Sequence, residues 1–295
     1  MRQGIAVVLV FAAAFALYGC ASPSKPVPEP SVKSSQDPPA AFLGTSDLAV
    51  GTNRFAAVLV KDGKAVREPS ARFSLSYLGD GQPVARGETA ARLRVEPEGE
   101  FALYVAQVSF DRAGLWQLEV STPGDGALAV RANVKFQVRE KSATPQIGDP
   151  APRSNSKTVR DAPRLEDLTS ASPPDPELYS VTINEAVSSG KPTAILFATP
   201  AFCTSRTCGP QLEVVHRLKE NYRGKANFIH VEIFDNPQEV AQDYTKARVS
   251  APVVEWRLPS DPWVFLVDSQ GRIAGKFESF TTYEELEPAL SALIN

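Results

Sequence analysis

Cys203 and Cys208 follow an apolar run, Thr-Ala-Ile-Leu-Phe-Ala-Thr at 193–199, and precede Gly209, Pro210 and a stretch with helical spacing. A strand that empties into a cysteine pair at a helix start suits thiol–disulfide chemistry, because free backbone amides and the helix dipole favour a thiolate there. Residues five apart on one regular helix lie too far apart to bridge, since joined cysteines need Cα atoms about 4.4–6.8 Å apart. One cysteine therefore belongs to a bulged loop before the helix. Cys203 is the natural loop member, with Cys208 just ahead of Pro210, a good early helical residue. Arg206, between them, is placed to lower a thiol pKa if its side chain folds back. A static disulfide that pins the loop is the plain alternative, although closing so short a loop adds little stability.

The elements that must hold this pair alternate helix and strand. Thr182 to Ser189 reads as a short helix ending at Gly190, then strand 193–199, the cysteine loop, and a helix from Pro210 to about Tyr222 with Leu212, Val215 and Leu218 on one face. Asn227 to Ile233 is a second strand and Pro237 to Tyr244 a second helix. Pro262 to Asp268 and Arg272 to Glu278 make a hairpin, and Thr282 to Ile294 a closing helix with Glu284 and Glu285 in its first turn.

Upstream the pattern changes to period two. Arg72–Tyr77, Leu93–Val95, Tyr104–Phe110, Trp116–Val120 and Val134–Val138 alternate, with Gly- and Asp-rich turns between them. Short strands at that spacing predict an all-β sandwich of immunoglobulin-like type, with Trp116 in its core. The expected organisation is multidomain: signal segment 1–19, Pro/Ser-rich tether 20–40, β-sandwich 41–140, linker 141–176 and an α/β domain 177–295. Within the linker, Ile147 to Pro152 is a candidate to pack on one of the domains.

The N-terminus predicts the compartment. Arg2, the apolar segment Ile5–Leu17 and the small residue before Cys20 describe an export signal too short for a stable membrane anchor. Leu17-Tyr18-Gly19-Cys20 resembles a bacterial lipobox, with Tyr18 as a departure, and implies that Cys20 is lipidated. The expectation is an extracytoplasmic protein tethered to a bacterial membrane, where disulfides persist. A net charge of −3 over 295 residues, with no basic cluster, gives no footprint for nucleic acid.

From about Asp175 to Asn295 the chain resembles the thioredoxin-like superfamily. Phe197-Ala-Thr-Pro-Ala-Phe-Cys203 is similar to that family's strand end and cysteine entry, Cys208-Gly209-Pro210 to its Cys-Gly-Pro opening, and Asp261-Pro262 to its cis-proline, which faces the redox cysteines. The resemblance implies a thioredoxin fold and exchange with a protein thiol or disulfide partner, without a cofactor. Gly209 and Pro210 join Arg206 as thiolate-tuning residues, and Pro262, Asp261, Phe202 and Trp263, with Trp256, as the partner groove. Four residues separate the cysteines instead of two, so roles stay open. With Cys208 in the Cys-Gly-Pro position, it attacks and Gln211 stands where a resolving cysteine would be. With Cys203 placed by strand spacing, it attacks and Cys208 resolves. The family's buried strand Asp, near Leu196, is absent, and Glu232 and Asp235 read as solvent-facing strand-end residues.

Two other resemblances fit less well. Copper chaperones of the Sco type use Cys-x-x-x-Cys and a distant histidine after the central helices. This chain spaces its cysteines differently, has His216 and His230 but no histidine beyond His230, and has no methionine after Met1. A peroxiredoxin-like motif would use Pro200, Ser205 and Cys208, but at the wrong offset. The reading from a different class is a non-catalytic envelope interaction protein whose cysteines form a structural bridge.

Overall fold

Eight antiparallel strands build the first region: β1 (Ala40–Leu43), β2 (Gly51–Lys61), β3 (Lys64–Ala65), β4 (Ser70–Tyr77), β5 (Val84–Val95), β6 (Ala102–Phe110), β7 (Gly114–Ser121) and β8 (Arg131–Val138). They come from a computed structural model that describes residues 37–294, apart from 80, 97, 98, 100 and 125–128. The expected signal segment and lipidated Cys20 lie outside the described residues. Among the described residues, no helix is long and apolar enough to cross a membrane.

The hydrogen-bonded order is β1-β2-β6-β5-β4-β7-β8, with β3 on β2. Alternation sends Phe55, Phe73, Tyr104, Phe110, Trp116, Leu118 and Phe136 into one core, where Phe110 and Trp116 meet edge-on at 5.0 Å. Trp116 is 1% exposed and is a core residue. Two strands depart from strict alternation, for a visible reason. On β2, Phe55, Ala57 and Leu59 face this core, while Ala56 and Val58 join a second cluster on the opposite face. On β6, Tyr104 and Ala106 face the first core, and Leu103 and Val105 the second. A strand covered on both sides has no polar face to alternate with.

The second region supplies that cover. Its strands β9 (Thr193–Ala198), β10 (Asn227–Glu232), β11 (Trp263–Val267) and β12 (Ile273–Glu278) lie in the order β10-β9-β11-β12. β9 and β10 run parallel, while β11 is antiparallel to both β9 and β12. Helices α1 (Ile183–Val187), α2 (Cys208–Asn221), α3 (Pro237–Gln242), α4 (Ala251–Glu255) and α5 (Tyr283–Ser291) complete it. Leu212, Val215 and Leu218 of α2 and Leu286 and Leu290 of α5 pack with Leu196 and Val264 of the sheet, in the cluster that also holds Ala56, Leu103 and Val105. The other sheet face packs Ile195, Phe197 and Phe265 with Ile183 of α1, Val253 of α4 and Trp256. All six residues of β9 are buried, which is why this strand reads as an uninterrupted apolar run. Residues 37–294 thus comprise a large sheet-rich region and an α/β region that share a core.

Polar groups reinforce the junction. Arg54 on β2, nearly buried, donates to Glu285 at 3.1 Å and to the backbone oxygens of Glu278 (2.7 Å) and Phe280 (2.8 Å). Burial works against the charge on Asp47. Hydrogen bonds from Ser142, Lys276 and the Ala143 amide outweigh it and hold the carboxyl well below the ordinary carboxylate range. The stretch 141–176 runs along the α/β region. Ala151, Ser154, Ser156 and Thr158 are buried, Pro150 bridges Arg272, and the Ile183 and Asn184 amides donate to Ser156 and Ser154. Pairing of these hydroxyls and carbonyls with α1 offsets the cost of burying a polar, proline-rich segment.

Candidate functional site

The helix α2 starts at Cys208, two residues earlier than its apolar spacing indicates. Pro210 sits inside the first turn, where a missing N–H costs nothing. Thr207 precedes it, buried, and the Gln211 amide closes the first turn onto the Thr207 carbonyl at 2.9 Å. Upstream, the Phe202 amide bonds the Thr199 carbonyl at 3.1 Å and the Arg206 amide bonds the Cys203 carbonyl at 3.2 Å. The second turn is closed by Arg206 in the left-handed region, φ 59°. The four residues between the cysteines are therefore taken up by a turn. That turn folds Cys203 back toward the start of the helix.

The sulfurs of Cys203 and Cys208 and a carboxylate oxygen of Asp261 lie within 4.8 Å of one another, and both cysteines are free thiols. Their environments differ sharply. Cys208 is fully buried in the α2–sheet cluster and its thiol donates to Asp261 Oδ2 at 3.0 Å. Desolvation, then the neighbouring Cys203 and Asp261, push the Cys208 thiol far above the ordinary range. Cys203 is half-buried. The Cys208 thiol proton, shared between Asp261 and the Cys203 sulfur, lowers the Cys203 pKa to about 6 against the cost of burial, helped by the Ser205 hydroxyl at 3.2 Å and the Cys208 amide. Thr207 lies 2.8 Å from Ser205 and can donate to it, which frees the Ser205 proton for the sulfur.

The supports of this constellation come from both regions. Gln211, fully buried at the position where a resolving cysteine was considered, is clamped to the Thr281 backbone through Thr281 N to Oε1 (2.7 Å) and Nε2 to Thr281 O (3.2 Å). Thr281 follows Phe280, whose carbonyl Arg54 holds. Asp261 and Pro262 are joined by a cis peptide bond. Ser260 next to them donates to Glu278 at 2.7 Å and accepts from Trp263 Nε1 at 3.0 Å. Glu278 also accepts the Ser46 amide at 2.9 Å and the Asp47 amide at 3.1 Å. The loop before β2 thus anchors the segment that carries Asp261.

Among solved structures, similarity is found to a candidate thiol:disulfide interchange protein DsbE from Chlorobium tepidum, at 12% identity and TM-score 0.38, covering 52% of this chain and 100% of that one. A thiol:disulfide interchange protein of the thioredoxin family from Chlorobium tepidum TLS matches at 12% identity and TM-score 0.35, covering 51% of this chain and 99% of that one. No protein-family model and no curated protein matches the chain.

Of the residues singled out from sequence, Cys203, Cys208 and Asp261 come together. Pro262 is buried behind Asp261, and its carbonyl accepts the Ser279 amide at 2.9 Å. Phe202 is partly exposed and rests 6.1 Å from the Phe234 ring. A cleft of about 280 Å³ opens beside it, lined in part by Ser170, Ala201, Pro237 and Gln238. Trp263 and Trp256, expected on an apolar rim, are 1% and 0% exposed and stack into the sheet core, where Phe265 touches both rings. Arg206 is exposed, and a Cβ on Gly209 would meet open space.

Glu232 departs from its expected solvent-facing position. It is 4% exposed, and burial pushes its carboxyl up despite hydrogen bonds from the Ser170 amide and hydroxyl, each at 2.7 Å. The Ser170 hydroxyl accepts the Ala201 amide at 3.2 Å, so Glu232 braces the turn that presents Cys203. His230 is buried, with Nε2–H donating to the Ala198 carbonyl at 3.1 Å, which leaves Nδ1 to accept from Tyr179 at 2.6 Å. Burial lowers its pKa to about 4, and both nitrogens are occupied. A thiophilic ion would find Cys203, Cys208 and Asp261 as ligands, without a histidine, and would displace the thiol chemistry.

The contact of Cys208 with Asp261 is one that spacing alone did not give. Its sequence signal is the acid directly before Pro262.

The Cys203 environment has a measurable consequence. A lowered thiol pKa means the thiolate is present at neutral pH and is lost as pH falls through about 6. Alkylation of the reduced protein should follow that titration, and Cys208→Ala, which removes the main donor, should move the midpoint upward. A wild-type midpoint at the ordinary value of about 8.5 would contradict the geometry.

Proposed function

We propose that this chain is an extracytoplasmic, membrane-tethered thiol–disulfide oxidoreductase that acts on protein partners through Cys203 and Cys208. The observation that carries the reading is the asymmetry of the pair. Cys203 is an accessible, acidic thiol at the mouth of a helix, and a buried, protonated Cys208 is within reach of it. The thiolate of Cys203 attacks a partner disulfide to give a mixed disulfide, and Cys208 then displaces the partner by closing a Cys203–Cys208 bond. Run backwards, the same steps oxidise a partner dithiol. Cys203 attacks and Cys208 resolves, because only Cys203 reaches solvent. Phe202, its adjoining cleft and Asp261, with Pro262 buried behind it, form the partner groove, Arg206, Gly209 and Pro210 shape the helix mouth, and lipidated Cys20 supplies the anchor.

The β region serves as a scaffold of immunoglobulin-like type. In support, β5 pairs with β4 through residues 84–92 and with β6 through 92–95, passing between the groups β1-β2-β6 and β4-β7-β8. Ala49 pairs in parallel with Arg139 after β8, which joins the two ends.

Trapping of a covalent partner by Cys208→Ser tests the function. Its absence, with both single cysteine variants merely less heat-stable, would favour the non-catalytic interaction protein.

A further inference from the structure

We propose that Asp261 is the base that takes the proton from Cys208 as Cys208 displaces a partner from Cys203. This deepens the exchange reaction proposed above and rests on it. Cys208 must become a thiolate to attack, yet it is 0% exposed and shares a buried apolar cluster with Leu212, Val215 and Leu266, so hydroxide reaches it only slowly. Its thiol faces two acceptors, Asp261 Oδ2 at 3.0 Å and the Cys203 sulfur, and once Cys203 is bonded to a partner the Asp261 carboxylate is the anionic one that remains. Asp261 is itself partly exposed, so a proton taken from the buried sulfur can pass on to water. Ser260, held by Glu278, and the buried Pro262 fix the segment on either side of it. The carboxylate thus bridges a closed compartment and solvent.

The steps balance as follows. The Cys203 thiolate attacks a partner disulfide, forms a Cys203–partner bond and expels the partner's other sulfur as thiolate. The Cys208 proton moves to the Asp261 carboxylate. The Cys208 sulfur then attacks Cys203, the Cys203–Cys208 bond forms, and the second partner sulfur leaves. The dithiol has lost two electrons and the partner disulfide has gained them. In the reverse direction, protonated Asp261 returns its proton to Cys208 as the internal disulfide opens.

Asp261 acts on the two sulfurs in opposite senses. As a proton acceptor it speeds Cys208, while its negative charge disfavours a thiolate on Cys203. The ionisable groups acting on Cys208 are Asp261, from the segment before β11, and Cys203, from the turn before α2. Removing the charge should therefore quicken the first step at acidic pH and slow the second.

The test is a rapid-mixing reaction of the reduced protein with a symmetrical nitrobenzoate disulfide whose thiolate is coloured, so each step releases one coloured equivalent. For Asp261→Asn, the first phase is expected at the wild-type rate or faster. The second should slow by at least about 100-fold, the scale of a lost general base. The wild-type second phase should change little across neutral pH, while in Asp261→Asn it should rise about tenfold per pH unit, as hydroxide becomes the acceptor. Unchanged second-phase rate and slope in Asp261→Asn would overturn the role of Asp261 and leave exchange standing. A wild-type protein that shows no first phase would overturn exchange itself, and this inference with it. If Asp261→Asn loses its fold, seen as Cys208 alkylated as fast as Cys203, Asp261→Glu decides. Its carboxylate should keep the flat pH dependence, and a steep one there would overturn the proposal.

Discussion

Cys208→Ser should accumulate a covalent adduct between Cys203 and a partner protein, resolved by reductant and visible as a mass increase on non-reducing gels. The serine keeps the shape of the buried site and a donor to Asp261, but it cannot displace a partner from Cys203, so the reaction stops at the mixed disulfide. Cys203→Ser should yield no adduct. In either variant the rate of catalysed exchange should fall by at least about a thousandfold, as expected when a covalent nucleophile or its obligate partner is removed. The asymmetry between the two variants is the informative part. Adduct on Cys208 in Cys203→Ser, with none on Cys203 in Cys208→Ser, would reverse the roles that burial gives them.

Arg54→Ala should cost about 3–5 kcal/mol of stability, the range for removing one partner of a buried ion pair. Arg54 and Glu285 have side chains only 6% and 12% exposed, so the truncation leaves the carboxylate at the junction of the two regions with the more distant Arg94, at 3.5 Å, as its counter-charge. It also strips a donor from the Glu278 and Phe280 carbonyls, leaving buried acceptors unpaired. Chemical unfolding would read the loss. The damage should reach the thiol site, because Phe280 leads into Thr281 and Thr281 holds Gln211 in the first turns of α2. Native-state alkylation of Cys208, blocked by burial in the intact protein, should therefore quicken in Arg54→Ala. Adding Glu285→Gln should recover part of the stability by removing a buried charge left with only the 3.5 Å Arg94 contact. A single-variant cost below about 1 kcal/mol, the scale of an exposed pair, would contradict the placement of Arg54.

Much of the α/β region was legible because its elements carry strong local signals. The uninterrupted apolar run of β9, the capping residues Thr182 and Thr282, and the Asp268–Gly271 turn each specify one local structure. Alternation marked β4, β7 and β8, the end of β5 and most of β6, while β1, β2 and β3 were not legible. Ala56 and Val58 look like a break in alternation until the second core that receives them is known. The stretch 141–176 reads as a linker from its prolines. Its burial depends on long-range partners such as Arg272 and Asn184, which no local pattern reveals.

At the site, the spacing of Cys203 and Cys208 was enough to require a bulge, and Arg206 with its left-handed backbone provides it. The environment of each thiol was not legible. The Cys208–Asp261 contact joins residues fifty-three positions apart, and the burial of Trp263 and Glu232 is decided by what packs over the sheet ends.

The central claim is that Cys203 and Cys208 form a working redox pair, and the most direct test is their equilibrium oxidation across a glutathione series, read by alkylation and intact mass. A transition between roughly −270 and −120 mV, where known exchangers lie, is the predicted result, and its position gives the direction of electron flow. A disulfide that persists below about −300 mV would mark a structural bridge and contradict the account.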